Sequence, residues 1–199
     1  MHSINNPHRI FHDIVFENTE EGDDTPIISD AYVGDFDLEN DSGDKDFKLM
    51  FSVKGKQVYH DTEEGEIISK SAYDDKEDQS MCESTYDVVH QYNLEELSIT
   101  TVGYNKRLKK YMKNCMKKLD KGPVKKALKT YAGKVANKDA DGFFYHFVKK
   151  NKDNITFFAR QGTEKCADEG DAMIVVCDME DWKAPTYYFF GPGLQGKSC

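Results

Sequence analysis

The chain has 199 residues, 38% of them hydrophobic and 32% charged, with a net charge of −9. That length fits one domain, residues 1–199, and the apolar content is low but sufficient for a core. No run of about 18 apolar residues exists to cross a membrane, and the N-terminal extension, residues 1–9, lacks the apolar stretch of a secretory signal.

Residues 10–16 (IFHDIVF) read as a strand with Ile10, His12, Ile14 and Phe16 on one face. His12 is read as a strand residue rather than a ligand. The Gly, Pro and Asp content of the next ten residues marks a loop, and residues 27–36 form a second strand region. Phe47, Leu49, Phe51 and Val53 alternate, then Lys54-Gly55-Lys56 turns the chain into Gln57–His60, the pattern of a hairpin. Residues 61–84 are acidic and poor in large apolar side chains, which predicts a long flexible acidic loop. Tyr86–Tyr92 is expected as a strand and Leu97–Thr100 as a short extended piece.

The organising stretch follows. Tyr104, Leu108, Tyr111, Met112, Cys115 and Leu119 share one helical stripe, and Val124, Leu128, Tyr131 and Val135 repeat it. The spacing predicts a helical hairpin over 101–138, with Thr100 or Thr101 as N-cap, Gly122 as a left-handed cap and Pro123 opening the second helix. Residues 104–138 hold thirteen Lys/Arg and one acid, a net +12, so the rest of the chain carries −21. A solvated helix face explains part of this. The one-sidedness also points to a surface for an acidic partner, centred on Lys106, Arg107, Lys109, Lys110, Lys113 and Lys117. A nucleic acid is not the expected partner, because the acidic body repels a polyanion and the lysine face lacks exposed stacking aromatics.

Asp139–Gly142 reads as a break, and Phe143, Phe144, Phe147 and Val148 as a short third helix. Residues 155–160, 172–178 and 185–190 read as strands, the last (PTYYFF) with aromatic residues on both faces, as expected between two layers. Strands, then helices, then strands give an α+β fold, with helices on one side of a mostly antiparallel sheet.

Catalytic signatures are missing: there is no P-loop, dinucleotide fingerprint, zinc-protease motif or nucleophile elbow, so an enzyme is not expected. The five cysteines, Cys82, Cys115, Cys166, Cys177 and Cys199, have no C-x-x-C spacing. This disfavours zinc and a disulfide framework and favours a reducing compartment, the cytoplasm. Cys115 lies on the apolar stripe and is assigned to the core. Acidic clusters at 20–24, 61–66 and 74–78 suit weak Ca2+ binding, although none has the spacing of a twelve-residue calcium loop; no cofactor is required, and no metal ligands are assigned.

Four stretches in order resemble the translationally controlled tumour protein family. They are SDAY at 29–32, KLMFSVKGKQV at 48–58, DVVHQYNLEELSITTVGYNKRLKKYMKNCMKKL at 87–119, and the ending APTYYFFGPGLQGKSC at 184–199. The resemblance implies a twisted β-tent sheet with a helical hairpin and a flexible acidic loop, similar to Rab GTPase rescue factors. It implies a cytoplasmic, non-enzymatic protein with a growth or stress role. Its family's partners are calcium, tubulin and microtubules, Ras-type small GTPases and apoptosis regulators. Asp24, Ser29 and Asp30 are the implied GTPase-facing residues, and Cys199 the implied site of a disulfide-linked homodimer. The chain departs from the family at Pro26 and at Arg160-Gln161, where the family carries acids, and residues 137–142 read as an insertion. These departures weaken the GTPase expectation more than the tubulin one.

Overall fold

The structure is a computed structural model, which describes residues 9–13, 28–29, 50–61, 67–68, 73–74, 82–136 and 143–198. Eleven strands and five helices lie within them. The strands are β1 (Arg9–Asp13), β2 (Ile28–Ser29), β3 (Met50–Lys54), β4 (Gln57–Asp61), β5 (Ile67–Ile68), β6 (Cys82–Tyr86), β7 (Leu94–Glu96), β8 (Ile155–Arg160), β9 (Val175–Asp178), β10 (Thr186–Phe190) and β11 (Leu194–Ser198). The helices are α1 (Asp87–Gln91), α2 (Thr101–Lys118), α3 (Pro123–Ala136), α4 (Phe143–Lys150) and α5 (Glu164–Glu169).

The central sheet has five strands in the order β3-β10-β9-β8-β7, every pair antiparallel. Two three-stranded sheets, β11-β1-β2 and β5-β4-β6, complete the described strands. The fold is therefore α+β and antiparallel, as the order of sequence patterns predicts.

Register explains the doubly aromatic strand β10. Phe157, Val176 and Tyr188 lie side by side on one face, and Val53, Tyr187 and Cys177 on the other. The first face receives the helices: Tyr104 of α2 stacks on Phe157 at 4.9 Å, Tyr111 meets Phe190 edge-on, and Phe147 of α4 meets Tyr188 edge-on. On the second face Tyr86, just before α1, lies edge-on to Tyr187. Tyr104, Tyr187, Phe189 and Phe190 are fully buried. Each large buried side chain contributes about 1.5–3 kcal/mol, and the rings on the first face, Tyr104 with Phe157 and Tyr111 with Phe190, fix α2 on the sheet.

Several local expectations are corrected. Residues 47–60 do not make a hairpin: β3 pairs with β10, whereas β4 pairs with β5 and β6. The chain changes sheets at Gly55-Lys56. Gly55 N–H donates to the Pro185 carbonyl, and Lys56 N–H donates to Asp87 Oδ1 at 2.8 Å. A Cβ on Gly55 would lie 2.7 Å from the Tyr187 ring, so this glycine serves close packing and not a tight turn.

Tyr86–Tyr92 is mostly the helix α1, not a strand, because Asp87 uses its carboxylate on Val88 N–H and Lys56 N–H and bends the chain there. The expected extended piece at 97–100 follows a strand three residues earlier, β7. The span 61–84 is not loop throughout: buried Asp61 ends β4, Ile67–Ile68 pair with it, and β6 starts at Cys82. Gly122 is not left-handed; α2 stops at Leu119 in extended conformation. Lys125 Nζ donates to the Leu119 carbonyl at 2.8 Å, which supplies the cap in place of glycine.

Candidate functional site

The surface singled out by charge is the outer side of α2 and α3. Thr100 Oγ1 accepts the Gly103 N–H at 3.1 Å and starts α2, the expected N-cap. Tyr104, Leu108, Tyr111, Met112 and Cys115 are buried, as the stripe predicts. Leu128 and Tyr131 bury the facing stripe of α3. Because the apolar stripe must face the sheet, the lysines between its members are turned to solvent.

The six predicted docking residues are divided by the structure. Lys106, Lys109 and Lys113 are exposed, and no ion pair or hydrogen bond ties their side chains to the described residues. Lys117 is exposed and donates to Asn114 Oδ1 at 2.9 Å. These four span twelve residues of helix, roughly 16 Å of cationic surface from first to last. Lys126 and Lys129 of α3 are also exposed.

Arg107 and Lys110 are different, because each is engaged from within the chain. The Arg107 guanidinium forms an ion pair with Asp168 and keeps only 21% of its side-chain surface exposed. Lys110 Nζ donates to the Asp168 carbonyl at 3.2 Å. Asn114 Nδ2 donates to the Gly170 carbonyl at 3.0 Å and to Asp171 Oδ1 at 2.8 Å. The acidic C-terminal end of α5 therefore lies along one flank of the basic helix. Gly170 ends α5 with φ +80, and an added Cβ would sit 2.5 Å from Lys110 Cβ.

Sequence reasoning did not find α5, although Gly170 after EKCADE is a helix stop signal. It also missed a carboxylate pair. Glu95 on β7 and Glu164 at the start of α5 bring their carboxyls together, where Glu95 in its protonated form donates a hydrogen bond to Glu164. That bond and the nearby charge hold the Glu95 carboxyl above its ordinary value, whereas backbone N–H groups of Glu164 itself and Gly162 hold Glu164 below it. Gly162 N–H donates to Glu164 Oε1 at 2.8 Å. This pair stands beside the turn carrying Gln161, and only tertiary structure brings the two glutamates together.

The remaining predicted positions carry little geometry. Asp24, Asp30 and Cys199 lie outside the described residues, as does most of the three acidic clusters. Ser29 belongs to β2, opposite Ile10. Asp61, counted in one acidic cluster, is buried in a strand. Among the described residues, no three or more His, Cys, Asp or Glu are grouped to hold a metal ion.

Cys82, Cys115, Cys166 and Cys177 are free thiols, and burial pushes the Cys177 thiol up to about 12, far from a thiolate nucleophile. A hollow beside Arg107, walled by Tyr104, Leu108, Tyr111, Met173 and Phe190, measures about 230 Å³ counting its open mouth. Most of that space is open to solvent, and the enclosed part has room for about one water molecule, too little for an ordinary ligand. Among the described residues, no helix is long and apolar enough to cross a membrane.

Comparison with known proteins adds the context this geometry lacks. The family model described as translationally controlled tumour protein matches residues 10–195. The solved structure of the translationally controlled tumour-associated protein from Schizosaccharomyces pombe is similar, with a TM-score of 0.59 at 18% identity, covering 96% of this chain and 99% of that one. The translationally controlled tumour protein of Caenorhabditis elegans gives a TM-score of 0.55 at 18% identity, covering 96% and 98%. At that identity the likeness to these two shows the fold alone. No curated sequence is similar enough to count as a match.

Proposed function

Since the chain belongs to the translationally controlled tumour protein family, we propose that it is a non-enzymatic, cytoplasmic binding protein that docks acidic protein segments on the outer face of its helical hairpin. The observation that carries this reading is the exposed strip Lys106, Lys109, Lys113 and Lys117 on a helix whose opposite face is buried. Such a strip attracts polyanionic segments over about a Debye length, ~10 Å at 0.1 M salt. The acidic tails of tubulin on microtubules are the partner of this chemistry that the family resemblance names. Cosedimentation of the full chain with microtubules at low salt tests it. The triple variant Lys106→Glu, Lys109→Glu, Lys113→Glu is expected to lose sedimentation, and unchanged sedimentation refutes the surface.

A second reading, partnership with a Ras-type small GTPase with exchange or chaperone activity, rests on family membership. Its test is acceleration of nucleotide release that Asp24→Ala removes. Weak Ca2+ binding, a growth or stress role and a Cys199-linked dimer are further expectations of the resemblance.

A further inference from the structure

The basic helix already holds one acidic segment, and it belongs to this chain. Residues 164–171 (EKCADEGD) carry a net charge of −3. Their C-terminal part is bound by Arg107, Lys110 and Asn114, which lie at i, i+3 and i+7 on one flank of α2. The segment is held by shape as well as charge: Gly170 approaches α2 so closely that a Cβ would meet Lys110 Cβ at 2.5 Å and Tyr111 N at 2.8 Å. Asp168 keeps 58% of its side-chain surface exposed. It therefore offsets Arg107 locally and also repels an approaching anion.

We propose that the segment Asp168–Asp171 is a built-in acidic competitor for the hairpin surface. It occupies the Arg107–Lys110–Asn114 flank, and so confines an external acidic segment to the strip Lys106, Lys109, Lys113 and Lys117. This inference rests on the docking reading and adds its regulation. The partner is a flexible run of Asp/Glu, because the internal example is recognised by cationic, amide and backbone contacts to an acidic chain. Modulation of affinity then follows from charge on the competitor, without movement of α5, since packing at Gly170 holds that helix in place.

The test uses the full chain and a fluorescent polyglutamate peptide, with affinity measured by anisotropy over a range of salt. Asp168→Asn/Asp171→Asn keeps the hydrogen-bond acceptors and removes two charges. It is expected to bind about threefold to tenfold more tightly at low salt, with a steeper salt dependence, given the size of exposed charge effects. Adding Arg107→Gln to that variant is expected to remove most of the gain. Thermal melting of each variant confirms folding, and Asp168→Asn alone serves if the double variant is unstable. Equal or weaker binding by folded Asn variants overturns the competitor. Failure of the wild type to bind the peptide at all overturns the docking reading itself, which separates the two.

Discussion

Two glycines with the same backbone angle test whether α5 is fixed to the basic helix by shape. Gly162 and Gly170 both have φ +80. An alanine in the left-handed region costs about 1–2 kcal/mol, of which roughly 0.4–1 kcal/mol is offset by a stiffer unfolded chain. Nothing lies within 4 Å of a Cβ built on Gly162, so Gly162→Ala carries that backbone cost and little else, about 1 kcal/mol or less. At Gly170 the new Cβ meets Lys110 Cβ at 2.5 Å, Tyr111 N at 2.8 Å and Lys110 C at 2.9 Å. Comfortable carbon contacts are ~3.5–4.0 Å, and these atoms belong to the frame of α2, so the end of α5 must lift instead.

Lifting strains the bonds from Asn114 to Gly170 and Asp171 and the ion pair at Asp168. Overpacking of this kind costs about 1–3 kcal/mol, which brings Gly170→Ala to roughly 2–4 kcal/mol in total. Urea unfolding of the two variants beside wild type, compared by midpoint at constant slope, gives the difference. Losses equal within about 0.5 kcal/mol, the usual spread for independent sites, refute the claim that close packing seats α5.

Two more expectations concern titration and thiol chemistry. Glu95 has a raised carboxyl value in the folded chain, so its stabilising contribution is present below the ordinary 4.5 and is lost as pH rises through the folded value. Glu95→Gln retains a donor toward Glu164 without a second charge. It is expected to raise the melting temperature at pH 7, with the advantage fading as pH falls through the raised folded value and gone below the ordinary 4.5; an equal gain at pH 3 and pH 7 counts against a like-charge origin. Cys177, raised to about 12 by burial, is expected to resist thiol reagents at pH 8 until denaturant is added. Half-buried Cys166 is expected to react first among the four described thiols, and peptide mapping showing Cys177 modified as fast as Cys166 in native protein contradicts that burial.

The candidate surface was only half legible. Charge counting pointed to Lys106, Lys109, Lys113 and Lys117 as solvent-facing, because positions outside an apolar stripe turn away from the core. Counting did not show that Arg107 and Lys110 are engaged by α5, since Asp168 is far from them along the chain. For the same reason Glu95 and Glu164 gave no sign of meeting.

By itself the sequence determined the elements whose side chains repeat with their own period. These are α2 and α3 from the 3.6-residue stripes, and β8 and β10 from runs of branched and aromatic residues. It also determined the split between a cationic hairpin and an anionic body. Only the tertiary structure decided which strands pair, that β3 and β4 part at Gly55, and that an acidic turn lies along one side of the basic helix. The physical reason is range. Helical and strand periods come from neighbours a few bonds apart, whereas pairing and charge neutralisation depend on groups far apart in the chain that meet only in the folded protein, as Arg107 and Asp168 do.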